Sequence, residues 1–198
     1  FGRTRLLETL LKFELWDDLL ALDGSQYLDV TQTPAFESAR LRALGIASFF
    51  RRDSAAIDRR LASLLELSKK PAAPPKDAKP AEKPADKPAS PGKGKPAAGN
   101  SGATINTALA ELRALRAILD SNFAEASRQL DKAGDTPKDR LLRYRLRMND
   151  KEKAAKLAMQ LPQDAPGLAL RVDALMQCGK PDEAKKQFET LRTAGASL

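Results

Sequence analysis

The sequence predicts an all-α protein: helices in antiparallel pairs, with one inserted tract that cannot bury a core. Three observations carry this. Ala, Leu, Lys, Arg and Glu dominate while aromatics make up 5%, a composition rich in helix formers and poor in the residues that strands favour. Along most of the chain, apolar residues recur at spacings of three and four, which lays a stripe on one face of a helix. The third is the segment KKPAAPPKDAKPAEKPADKPASPGKGKPAAGN, which has no Val, Ile, Leu, Phe, Trp or Tyr.

Leu6, Leu7, Leu10, Leu11 and Phe13 predict a first helix from Arg3 to Leu15. Trp16 to Leu22 forms a short second one. The following DGSQYLDVTQTPAF, with Gly24 and Pro34, reads as a loop. A third helix is expected from Glu37 to Arg52. Asp53 and Ser54 offer caps for a fourth from Ala55 to Ser68, with Ile57, Leu61, Leu64 and Leu65 inward.

Residues 69–103 are set apart as a tether between helical regions 1–68 and 104–198. Eight of the thirteen prolines lie there, removing backbone donors, and its lysines repel one another, so a solvated, partly polyproline-like chain is expected. Between Lys69 and Asn100, eight lysines face Asp77, Glu82 and Asp86, which accounts for +5 of the formal net charge of +8 and leaves +3 for the rest. The helical parts are therefore not strongly basic. With no aromatic interleaved for base stacking, specific nucleic-acid binding is not expected.

Beyond the tether, helices are expected over Ile105 to Ser121, Phe123 to Ala133, Pro137 to Met148, Lys151 to Leu161, Ala165 to Cys178 and Pro181 to Thr193. Asn122, Gly134, Asn149, Asp150, Gly167 and Gly179 stand at the turns, where such residues cap helices or tolerate turn conformations. The total is ten helices in five pairs.

Part of this pattern repeats. Leu41, Leu44, Gly45, Ala47 and Phe49, followed by Asp53, Ile57, Leu61 and Leu64, resemble the tetratricopeptide (TPR) motif. Leu44 and Gly45 match its Leu-Gly pair, Ala47 its small residue and Asp53 its turn residue; Leu41 replaces the usual tryptophan and Ile57 the usual alanine. The turn and second helix recur around Asn122 with Ala126, Leu130 and Ala133, around Asn149 with Ala154, Ala158 and Leu161, and around Gly179 with Ala184, Phe188 and Leu191. Removing the tether from the long step between Ile57 and Ala126 leaves roughly one standard repeat. The resemblance implies TPR-like pairs stacked as a short right-handed superhelix, with the tether inserted between two units.

Catalysis is not expected, and no cofactor or metal is implied. The chain has no histidine, which excludes Ser-His-Asp and Cys-His mechanisms and the commonest zinc ligand. Its one cysteine makes neither an internal disulfide nor a thiolate zinc cluster, and Cys178 reads as a small packing residue. Phosphate-binding glycine loops and nucleophile elbows are missing. No run of residues is apolar enough for a membrane helix, so the chain is expected to be soluble, in the cytoplasm or periplasm. It starts at Phe1 without a methionine or a signal-peptide pattern, so a segment of a larger bacterial protein is expected.

The resemblance also implies where a protein or peptide partner would sit: in a groove lined by the first helix of each pair. The candidates on that face are Arg42, Ile46 and Phe49, then Arg143 and Arg147, then Asp173 with Met176. Arg140, Arg143 and Arg147 share one helical face, which reads either as a carboxylate- or phosphate-binding surface or as a solvated face balanced by Asp139, Asp150 and Glu152. The expected function is a non-enzymatic scaffold for protein or peptide binding. The alternatives are a spacer or docking arm for an enzymatic domain elsewhere, and a basic tether for an anionic polymer.

Overall fold

In the computed structural model, residues 2–29, 33–69 and 101–195 are described. They form ten helices with no strands among the described residues: α1 Gly2–Lys12, α2 Trp16–Ala21, α3 Pro34–Phe50, α4 Ser54–Lys69, α5 Ser101–Leu119, α6 Phe123–Lys132, α7 Lys138–Arg147, α8 Lys151–Ala158, α9 Ala165–Gln177 and α10 Pro181–Gly195. Most of the 69–103 tract lies outside the described residues. Its two ends belong to helices: Lys69 closes α4, and Ser101 to Ala103 open α5. The third helix also starts earlier than expected, because Pro34 stands in its first turn, where a fixed φ and a missing donor cost nothing. An isolated bridge, Asp23 to Leu28, marks the preceding loop.

Each odd-numbered helix turns into the next even-numbered one through the same backbone device. The residue two before the second helix is left-handed: Glu14 at φ 55°, Arg52 at 58°, Ser121 at 58°, Asn149 at 57° and Gly179 at 77°. The next amide reaches back five residues, as Leu15 N to Leu10 O, Asp53 N to Ser48 O, Asn122 N to Ala117 O, Asp150 N to Arg145 O and Lys180 N to Leu175 O. This is the Schellman closure that satisfies otherwise orphaned carbonyls at a helix end. Four residues beyond each cap stand Leu19, Ile57, Ala126, Ala154 and Ala184, all essentially without exposure. The closure thus occurs five times among the described residues, once more than the turn motif read from the sequence, because Glu14 and Leu19 stand in the first where most of the others carry small or turn-forming residues.

Short turns fold consecutive helices back on one another, and the pairs then stack. The third helix packs on α2, α4 and α5, and α5 also packs on α4 and α6. Buried residues ring α3 completely: Ala43, Leu44 and Ala47 meet Leu7, Leu10, Leu19 and Leu28 on one side, while Leu41, Ile46 and Phe49 join α4 to α7 on the other. The stacked rings of Trp16 and Phe50, 4.5 Å between centroids, join α2 to α3, an arrangement worth about 1 kcal/mol beyond area burial. A separate core under α7 to α10 is built mainly from Ala154, Ala155, Ala158, Ala174 and Ala184 with Leu142, Leu161 and Leu175. Cys178 packs against it, and burial pushes its thiol pKa up, as suits a packing residue. Leu142 of α7 belongs to this second core while Tyr144 and Met148 belong to the first.

Candidate functional site

The side chains with functional potential converge on α7. At its base lies Glu111 of α5, a fully buried carboxylate. Arg42 donates to its Oε2, Tyr144 donates to its Oε1 at 3.0 Å, and Arg140 approaches the same oxygen at 3.4 Å. Arg42 also donates to Thr136 at 3.0 Å. Three helices and the α6–α7 loop are thereby tied to one carboxylate, an arrangement that repays desolvation only because nearly every group is paired. Burial, and then the Glu111 charge, push the Tyr144 hydroxyl well above its ordinary pKa.

Two clefts open on either side of α7. The first, about 360 Å³, lies between α1 and α7 over Leu11, Trp16 and Phe50, with Arg140, Arg143 and Asp139 on its wall. The second, about 540 Å³, lies between α7 and α9, lined by Leu161, Pro162, Pro166 and Leu170 and again by Asp139 and Arg143. Arg143 is ion-paired with Glu14 at the α1–α2 turn, which bridges α7 to the start of the chain.

The expected groove residues separate in space. Ile46 and Phe49 are fully buried and are corrected from groove to core: α3 has neighbours all round, so it has no open apolar face. Arg42 is likewise held by Glu111 and Thr136. The three arginines that share a face of α7 part company, since Arg140 turns to Glu111, Arg143 to Glu14, and Arg147 lies over the Phe49 and Phe50 rings at 5.1 and 4.8 Å. Of the acids expected to balance them, Asp150 pairs with Arg145 and Glu152 with Lys156. Asp173 accepts a hydrogen bond from Gln177 at 2.8 Å, and Met176 is exposed; neither lines the α7–α9 cleft.

Three residues with evident roles, Glu14, Arg52 and Glu111, are absent from the sequence-based expectation. Only Glu111 left a signal, as a lone acid set among Ala108, Leu109, Ala110, Leu112, Ala114 and Leu115.

Among the described residues no group of three or more His, Cys, Asp or Glu could hold a metal ion, and no helix is long and apolar enough to cross a membrane. Comparison with known families, with curated proteins and with solved structures gives no match.

Proposed function

We propose that the chain is a non-enzymatic, TPR-like scaffold that holds a segment of another protein in the paired clefts beside α7. The carrying observation is that the two clefts share Asp139 and Arg143 as a common wall and have apolar floors. Clefts of this size, apolar with a few polar groups, are the usual form of binding sites. The five equivalent turns support a repeat array, in which neighbouring units bury one another and leave extended surfaces for partners. The lack of histidine in the sequence favours binding over acid–base catalysis at neutral pH.

Two exposed positions allow each cleft to be filled separately. Gln160→Trp blocks the α7–α9 cleft and Glu8→Trp the α1–α7 cleft, both at exposed residues that line them. Partners are recovered from cells by pulldown with the unaltered protein, then purified and titrated against all three forms. At least one blocking variant is expected to lose about tenfold in affinity, or roughly 1.4 kcal/mol, with an unchanged melting temperature. Full binding by both would rule out the clefts and favour a spacer or docking arm.

A further inference from the structure

A third cleft, about 480 Å³, lies where the α3–α4 turn, the α5–α6 turn and the end of α7 meet; it is lined in part by Phe49, Phe123, Arg52 and Arg147. Arg52 and Arg147 are both exposed residues, and neither has an ion-pair partner among the described residues, in contrast to most of the arginines on α3, α5 and α7. Two acids stand close by: Asp120, which itself lines the cleft, pairs with Arg116, and Asp53 accepts from the Ala56 amide at 2.8 Å. Arg147 rests over two aromatic rings, a cation–π contact that helps to position its guanidinium. Arg52 occupies a left-handed position that glycine or asparagine fills at lower cost. Phe123, 43% exposed, adds an apolar wall beside the two charges.

We propose that this cleft is a second docking site, separate from the clefts beside α7, and that it takes an acidic segment of a partner protein: a Glu or Asp carboxylate bridging Arg52 and Arg147, with an adjacent apolar side chain against Phe123. Two like charges that share a cleft without an ion-pair partner of their own repel each other, and a carboxylate between two guanidinium forks relieves that repulsion while accepting charge-assisted hydrogen bonds. Burial and the neighbouring Arg52 already draw the Arg147 pKa downward, the direction expected of a cation that lacks an anion.

The test uses the full chain labelled with nitrogen-15 and follows the arginine Nε–H resonances. Three probes are titrated: N-acetyl-leucyl-glutamate amide, its glutamine counterpart, and inorganic phosphate. The glutamate probe is expected to shift the Arg52 and Arg147 signals together with affinity on the order of millimolar. Arg52→Gln and Arg147→Gln should each weaken it about fivefold or more at low salt, with melting unchanged, and Arg52→Lys should retain part of the binding. Equal shifts with the glutamine probe, or unaltered affinity in both glutamine variants, would overturn the proposal. So would phosphate binding more tightly than the glutamate probe, because the cleft would then be a phosphate site.

Discussion

A Cβ atom placed on Gly45 would lie 2.5 Å from both δ-carbons of Leu112. Gly45 of α3 therefore has no side chain because α5 passes directly over it, and Leu112, fully buried itself, would have to shift to admit one. This explains in contact terms why a glycine follows Leu44 in the middle of α3.

Replacing Gly45 tests that approach. The gain in helix propensity from Gly45→Ala is up to about 1 kcal/mol, and overpacking costs typically about 1–3 kcal/mol, so the net effect should be destabilising. Gly45→Leu should be worse. Urea denaturation followed by circular dichroism measures both, and a stabilised alanine variant would contradict the close approach.

Glu111 is the shared acceptor for Arg42, Arg140 and Tyr144. Glu111→Leu strands two arginines and a phenol in a mostly closed space, and losing one partner of a buried charged cluster costs about 3–5 kcal/mol. The predicted signature is a large fall in the denaturation midpoint. A change within 1 kcal/mol, approximately the net worth of a single hydrogen bond, would mean that the cluster is solvated in solution.

Tyr144 gives stability a pH dependence of known sign. Its folded pKa is raised well above the ordinary 10.0, so the folded state keeps its proton after the unfolded state has lost it. The stabilisation is whole below pH 10 and falls above it, by up to roughly 1.4 kcal/mol per pH unit. Tyr144→Phe should therefore lose less stability between pH 9 and pH 11 than the unaltered chain. Parallel losses would show that the phenol is not buried in solution.

Ser121 pays for a left-handed backbone that Gly179 adopts freely at the equivalent turn. Such strain costs an L-residue about 1–2 kcal/mol, partly offset by the greater unfolded-state freedom of glycine. Ser121→Gly should raise stability by up to about 1 kcal/mol, and Gly179→Ala should lower it by a similar amount. Thermal melting of both, with opposite shifts, is the check.

The helices and their turns were legible because each obeys local rules. Asn122, Asp150 and Asp53 cap the helices they precede, and Pro137 and Pro181 stand where helices begin. Two kinds of information were not local. Whether a face is open depends on the neighbours it meets, so Ile46 and Phe49 looked like a groove and are core. Which partner a charge takes depends on the fold, so Arg140, Arg143 and Arg147, one turn apart in sequence, serve three different places. The opening pair α1–α2 was legible as helices but not as a repeat, since Leu19 fills by bulk the role that Ala126, Ala154 and Ala184 fill by smallness.

The division of α7 between two cores bears on how the chain comes apart. Its Leu142 rests on a cluster made mostly of alanines, whereas Tyr144 is anchored in a larger cluster rich in leucine and isoleucine. Alanine methyls remove far less apolar surface from water than those larger side chains, so the last three helices hold on more weakly than the body they adjoin. An end held in this way can fray without the remainder following. Backbone amides of α8 to α10 should therefore exchange with deuterium ahead of those in α3 and α5, with α7 as the boundary where protection changes.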